Sequence, residues 1–147
     1  MTTWLPKPHP GLIVRYCYLW YREYLEGREE GAKDRPCAII AALRVDVDGE
    51  TRALVLPITH IAPEHPALAV EIPAATKKRL GLDEARSWIV LTEWNEFIWP
   101  GPDLRRLPAA SDASVAYGIL PPGLFAVVRE KFLAIVNTGR AKRVSRT

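Results

Sequence analysis

Two apolar runs joined by an Asp-Gly turn constrain the fold of this chain more than any other feature. Residues 37–43 are apolar at every position, and residues 53–59 are nearly so. Continuous rather than alternating apolarity indicates strands that are buried on both faces. Asp48-Gly49 between them is typical of a tight β-turn, so the two runs are predicted to form an antiparallel hairpin. This hairpin would bring Arg35 and Thr59 to the same edge of the sheet.

Other short apolar runs predict further strands. Residues 11–20 are rich in β-branched and aromatic side chains, which is typical of a strand. Residues 21–35 are dense in charge and predict an exposed loop, with a helical turn near Glu23. The remaining strands are predicted at residues 68–72, 88–91 and 97–99, and the last of these is followed by a Pro-Gly-Pro sequence.

Two helices are predicted in addition to the strands. Residues 73–80 predict a short helix, with Pro73 near its first position and Gly81 as its stop. Residues 108–114 are typical of a linker, and a C-terminal helix follows it. One face of that helix is apolar, formed by Leu124, Val128, Phe132 and Ile135. The predicted fold is therefore mainly β: a small, open, antiparallel barrel with a short inserted helix and a C-terminal helix.

Positive charge is concentrated at the C-terminal end of the chain. The formal net charge is +3, and residues 139–147 contain no acid. We therefore predict one near-neutral domain over residues 1–138, followed by a basic tail over residues 139–147. Such a tail either adds non-specific affinity for phosphates or is a solvated terminus. Its basic residues are Arg140, Lys142, Arg143 and Arg146.

The cysteines and the lengths of the apolar runs predict a cytoplasmic protein. Cys17 and Cys37 both lie in apolar runs, which favours two buried thiols in a reducing compartment over a disulfide. No apolar run approaches the roughly 20 residues that cross a bilayer. We therefore expect no membrane partner.

Motifs for metal hydrolysis and nucleotide binding are absent from the sequence. There is no G-x-S-x-G, Walker loop, G-x-G-x-x-G or H-E-x-x-H sequence. His9, His60 and His65 do not lie at a ligand spacing from one another or from a cysteine. We therefore predict no metal and no other cofactor.

Several segments, taken in order, resemble one protein family. Gly-Leu-Ile-Val opens the first strand, and a loop with glycine and glutamate leads into Arg35-Pro36. An apolar strand ending in Ile-Thr follows at residues 55–59, and a late strand and a terminal helix follow at residues 88–99 and 120–136. In order and spacing, these segments resemble the MazF/PemK (Kid) toxins of type II toxin–antitoxin systems. The longer members, called plasmid maintenance toxins, are the most similar.

The resemblance implies a fold, an activity and partners. The fold would be an SH3-like barrel of the CcdB/Kid/MazF type. The activity would be endonucleolytic cleavage of single-stranded RNA without a metal, which halts translation and growth. The ribose 2′-hydroxyl would attack the adjacent phosphate and leave a 2′,3′-cyclic phosphate and a 5′-hydroxyl. The toxin would form a homodimer, bind a cognate antitoxin, and contact operator DNA only together with that antitoxin.

The resemblance assigns catalysis to Arg35 and Thr59. A guanidinium is always charged and donates in a planar fork, which suits the charge that develops on a phosphate. The Thr59 hydroxyl can donate to the same phosphate. The general base is left open among His60, Glu93 and Glu96. The family has an Asp or Gln near the late-strand position where this chain has Glu93, so the proton-transfer role departs from the family pattern.

Structural roles compete with these functional ones. Arg35 could instead form a strand-edge salt bridge with Glu29 or Glu30. Thr59 could satisfy backbone groups at the end of its strand. Trp94 and Trp99 could stack on unpaired bases, although contacts within the core or with a second copy are favoured.

Basic, aromatic and amide side chains outside the catalytic set are candidates for RNA binding. The loop at residues 21–34 combines aromatic rings with guanidinium groups and is the predicted reader of unpaired bases. Lys77 and Lys78 belong to a basic run on the short helix, for which a solvated face is the competing interpretation. The predicted RNA-binding residues are Tyr24, Arg28, Lys33, Lys77, Lys78 and Asn95.

Two other functions remain open at this point. The same fold supports toxins that poison DNA gyrase by contact alone, without catalysis. A degenerate barrel that only binds RNA or protein is the other alternative. A gyrase-binding toxin does not need the Arg35 and Thr59 pair, so these two residues discriminate between the classes.

Overall fold

The computed structural model describes residues 5–45, 49–108 and 114–146, and these residues form a mainly β fold. The strands are β1 (Leu12–Tyr16), β2 (Arg35–Val45), β3 (Glu50–Thr59), β4 (Ala69–Glu71), β5 (Trp88–Val90), β6 (Glu93–Ile98), β7 (Ala116–Ile119) and β8 (Lys142–Ser145). The α-helices are α1 (Tyr21–Leu25), α2 (Ala74–Arg79) and α3 (Pro122–Asn137), and a 3-10 turn spans Pro66–Leu68.

The predicted central hairpin is confirmed by the pairing of β2 with β3. The strands are antiparallel, with Val45 opposite Glu50 near the turn and Cys37 opposite Pro57 towards the open end. Gly49 has a φ of +68°, which a tight hairpin turn requires and glycine adopts without strain. Asp48, the other half of the predicted turn, lies outside the described residues.

The hairpin is buried on both faces, as the continuous apolar run predicts. Alternate residues of β2 enter two separate cores. Ala38 and Ile40 lie in one core, which α3 covers with Val128 and Phe132. Cys37 and Ile39 lie in the other, together with buried residues of β1, β3 and β6. Both cysteines are free and buried, which confirms the prediction of two buried thiols.

One strand branches the sheet. Residues 52–55 of β3 pair with β6, whereas Ile58 and Thr59 pair with β5. The main path runs β4-β5-β3-β2-β1-β7, and the described residues show no pairing between its two ends. The strand predicted at residues 97–99 is present as the end of β6, which begins earlier, at Glu93. It is not the last strand as predicted, because β7 and β8 follow it. The polar residues of β6 obscured its alternating pattern.

The predicted basic tail is part of the fold. β8 pairs in parallel with β6 and places the fully buried Val144 opposite Asn95. The side chain of Arg146 is only 4% exposed and forms a salt bridge of 3.2 Å with Asp103. The division between a domain ending at residue 138 and a basic tail is therefore corrected, because residues 142–146 contribute both a strand and a buried ion pair.

Both predicted helices are present, and the linker falls largely outside the described residues. Gly81 follows α2 with a φ of +72°, which ends the helix as expected. Val128 and Phe132 of α3 are buried, and Leu124 and Ile135 pack against the same core. The linker prediction covers residues 108–114, of which 109–113 are not described. No helix in the described ranges is both long and apolar enough to cross a membrane.

Candidate functional site

A cavity of about 590 Å³ lies at the open end of the β2–β3 hairpin. Arg35 begins β2, Thr59 ends β3, and both residues line this cavity together with His60. The predicted closeness of Arg35 and Thr59 is therefore confirmed. The cavity falls within the roughly 300–1,000 Å³ range of ordinary small-ligand sites.

The Arg35 guanidinium has unusually few partners for a half-buried cation. Its Nη1 donates to the Ile58 carbonyl at 3.3 Å, and its Nε is buried without a hydrogen-bond partner. Arg35 makes no salt bridge with any residue of the described chain, so the alternative pairing with Glu29 or Glu30 was wrong. Burial lowers the pKa of Arg35, although an arginine stays charged at neutral pH.

A tryptophan that the sequence analysis did not select supports this cation. The Arg35 guanidinium lies 5.0 Å from the centre of the Trp20 ring, and the Arg22 guanidinium lies 5.7 Å from the same ring. Tyr18 meets Trp20 edge to face at 5.2 Å. Trp20 and Arg22 also line the cavity. Two like charges are thus held around one indole, an arrangement that favours an anionic ligand.

The acids of the cavity wall are paired with other cations. Asp34 lies 3.5 Å from Arg15 and 3.6 Å from Arg105. Asp83 pairs with Lys77 at 2.6 Å and with His60 at 2.8 Å. Neither carboxylate compensates the charge of Arg35, which therefore remains available to an anion.

The Thr59 hydroxyl accepts one hydrogen bond within the protein, and its own proton is not used in that bond. Its Oγ1 accepts a bond of 3.2 Å from the Ile61 backbone N–H. This bond fits the structural alternative, in which the hydroxyl satisfies the backbone at a strand end. The hydroxyl proton is still free to donate, because accepting that bond uses only a lone pair.

His60 is held by residues that the sequence analysis assigned differently. Its Nε2 lies 2.8 Å from Asp83 Oδ2, while Asp83 Oδ1 accepts a 2.6 Å bond from Lys77. The Lys77 side chain is 5% exposed and also donates to Ser87 Oγ and to the Ala85 carbonyl. The prediction that Lys77 contacts RNA is therefore corrected, because its amine is buried and has three acceptors. Asp83 was missed, since nothing in its sequence position links it to His60.

Glu93 and Asn95 support the backbone near the cavity without lining it. Glu93 Oε1 accepts from the Tyr21 N–H at 2.9 Å and from the Tyr18 hydroxyl at 3.1 Å. Burial raises the pKa of Glu93. Asn95 is fully buried, and its amide bonds both the N–H and the carbonyl of Leu19. The structure thus corrects the predicted catalytic role of Glu93 and the predicted RNA contact of Asn95, because both side chains position the segment that carries Trp20.

Of the four remaining predicted RNA-binding residues, one lines the cavity and three do not. Lys33 is exposed and lines the cavity. Lys78 is exposed on α2, and Tyr24 is 48% exposed on α1. Arg28 forms a salt bridge of 3.2 Å with the buried Glu23.

Trp94 and Trp99 pack against the two cores, which is one of the roles favoured for them from the sequence. Trp94 meets Phe132 edge to face at 5.7 Å, and Trp99 stacks on Phe97 at 6.1 Å. Neither ring lines the cavity. Trp20 is therefore the tryptophan that lines the cavity, where Tyr117 is a second aromatic residue. The position of Trp20 just before a charged loop is the signal that would have identified it.

Comparison with known proteins assigns neither a family nor a function to this chain. No protein-family model matches this chain, and no curated protein matches it. Within the described ranges, no three His, Cys, Asp or Glu side chains come together in a group that could hold a metal ion.

Proposed function

We propose that this protein is a metal-independent endoribonuclease that cleaves single-stranded RNA, as its resemblance to the MazF/PemK toxins implies. The observation that carries the proposal is the Arg35 guanidinium, which lines the cavity and has no carboxylate partner among the residues that the structure describes. An uncompensated guanidinium in a cavity wall favours an anionic ligand, which its charge and its terminal nitrogens can bind. A phosphodiester provides both the negative charge and the acceptor oxygens.

Arg35 and Thr59 are suited to stabilise the transition state of phosphate attack. Negative charge on the non-bridging oxygens increases as the fifth oxygen approaches phosphorus. The Arg35 fork and the Thr59 hydroxyl can both donate to those oxygens from one wall of the cavity. Arg22 adds a second positive charge near the same ring.

His60 is the proposed general base of the reaction. Its neutral imidazole accepts the proton of the ribose 2′-hydroxyl, and the 2′-oxygen then bonds to phosphorus while the bond to the 5′-oxygen breaks. Water donates a proton to the leaving 5′-oxygen. His60 lines the cavity and Glu93 does not, which favours His60 over Glu93 for this role.

The wider biological role is proposed from the same resemblance. The protein would act in the cytoplasm as the toxin of a toxin–antitoxin pair, as a homodimer that a cognate antitoxin inhibits. The finer fold proposed is the SH3-like barrel of these toxins. The branching of β3 between β5 and β6, with a core on each face, supports that assignment.

Cleavage in the presence of a chelator tests this function. The purified protein is incubated with an end-labelled single-stranded RNA in excess EDTA, with the same sequence as a duplex for the control. We expect cleavage of the single strand only, with 2′,3′-cyclic phosphate and 5′-hydroxyl ends. Binding of the single strand without cleavage would contradict the proposal and favour the non-catalytic alternative.

A further inference from the structure

A chain of hydrogen bonds connects His60 to the buried interior of the protein. Asp83 bridges the chain, since its Oδ2 lies 2.8 Å from His60 Nε2 and its Oδ1 lies 2.6 Å from Lys77 Nζ. Lys77 donates in turn to Ser87 Oγ at 2.6 Å. All four residues line the same cavity as Arg35. This hydrogen-bond chain therefore begins at the exposed His60 and ends at the buried side chains of Lys77 and Ser87.

The geometry determines which nitrogen of His60 carries the proton. An ionised carboxylate can only accept, so the bond to Asp83 requires a proton on Nε2. A neutral imidazole with its proton on Nε2 has Nδ1 as its acceptor. The hydrogen bond from Lys77, followed by that from His60, lowers the pKa of the Asp83 carboxyl and so keeps Asp83 ionised.

The contact between His60 and Asp83 is too exposed to contribute much to the stability of the fold. The two side chains are 55% and 56% exposed, and ion pairs this exposed contribute little to stability. Lys77, in contrast, is buried and has three acceptors, which fix its ammonium group. An anchored lysine that holds an exposed carboxylate against a histidine orients that histidine.

We propose that Asp83, anchored by Lys77, is a positioning residue that holds His60 with Nδ1 available to accept the substrate proton. This inference rests on the proposed function, because His60 acts as a base only if the protein cleaves RNA. The orientation of the ring itself does not depend on RNA cleavage. The two ideas can therefore be tested separately.

Nitrogen-15 NMR of the free protein tests the orientation. We expect the neutral ring of His60 to be a single tautomer with its proton on Nε2, which the chemical shifts of the two ring nitrogens report. Asp83→Ala should shift these signals towards a mixture of the two tautomers, whereas Glu84→Ala, at the next exposed acid, should leave them unchanged. A neutral His60 ring protonated on Nδ1 in the wild-type protein, or signals unaffected by Asp83→Ala, would overturn the inference.

Kinetics of the single and double variants test the role. A general base contributes roughly 10²–10⁴-fold, so Asp83→Ala should lower kcat by at least about tenfold with little change in KM. In a His60→Ala background the same substitution should cause no further loss, because a positioning residue acts only through the group it positions. An equal loss in both backgrounds would contradict a positioning role. A wild-type protein that cleaves no RNA would instead remove the proposed function and leave the NMR result standing.

Discussion

The guanidinium of Arg35 lies 5.0 Å from the centre of the Trp20 ring, at the wall of a cavity, and no acid in the described part of the chain pairs with it. An aromatic ring holds a cation without neutralising its charge, so the cation can still attract an anionic ligand. A carboxylate partner would compensate that charge. Trp20 is therefore part of the site, although it contributes no group that reacts. The Glu93 and Asn95 bonds to neighbouring backbone groups hold its segment in place.

Replacing Trp20 should weaken substrate binding more than it affects the fold. A cation–π contact contributes about 0.5–2 kcal/mol, so Trp20→Leu should lower kcat/KM for single-stranded RNA by about twofold to thirtyfold. Trp99→Leu is the matched control, because Trp99 stacks on Phe97 and does not line the cavity. Equal losses of kcat/KM in two folded variants would show that Trp20 has no special role.

The Thr59 hydroxyl should matter for the rate. Thr59→Val retains the branched shape but removes the donor, so we expect kcat to fall by about a hundredfold while KM changes little. Thr59→Ser retains the hydroxyl and should recover most of the rate. If Thr59→Val raises KM without lowering kcat, then Thr59 binds the substrate without stabilising the transition state.

Much of the fold was predictable because it follows from local patterns. The apolar run at residues 37–43 and the Asp-Gly turn together specify a buried hairpin. The four-four-three spacing of the apolar residues in α3 specifies an amphipathic helix. Neither prediction needs information from the rest of the chain. The closeness of Arg35 and Thr59 follows from the hairpin register alone. These predictions succeeded because each depends on one element or on two elements joined by a short turn.

The errors came from contacts that no local pattern in the sequence indicates. β8 pairs with β6 across about fifty residues, and its charged sequence resembles a solvated terminus. Lys77 lies in a run of three basic residues, yet only Lys77 turns inward to Asp83 and Ser87. No periodicity distinguishes it from Lys78. The role of Trp20 likewise depends on β2, which meets it only in the folded protein.

Arg146 should contribute strongly to stability. Its side chain is 4% exposed, pairs with Asp103 at 3.2 Å and donates to the Cys17 carbonyl at 2.8 Å. Arg146→Ala leaves a buried carboxylate unpaired and should lower the free energy of unfolding by about 3 kcal/mol, measured by urea denaturation. Arg143→Ala, at a 62% exposed position 3.9 Å from Glu96, should change it by less than about 0.5 kcal/mol. A change as small for Arg146→Ala as for Arg143→Ala would contradict the buried ion pair of Arg146.

Glu93 should affect the pH dependence of stability and not catalysis. Burial raises the pKa of Glu93 in the folded protein above its ordinary value of 4.5, so the folded state binds more protons in the window above pH 4.5. The free energy of unfolding should therefore fall as the pH rises through that window. Glu93→Gln retains an acceptor for Tyr18 and Tyr21 and should reduce this fall. RNA cleavage by Glu93→Gln should match the wild type, and a large loss of kcat in a folded variant would restore Glu93 as a catalytic candidate.

The central claim is that Arg35 is the group that binds and stabilises the reacting phosphate. The most direct test compares Arg35→Ala with Arg44→Ala, an exposed arginine near the other end of the same strand, in cleavage of single-stranded RNA in excess EDTA. We predict that Arg35→Ala folds and loses cleavage by at least about a hundredfold, while Arg44→Ala retains wild-type activity. Cleavage by a folded Arg35→Ala variant at the wild-type rate would contradict the account.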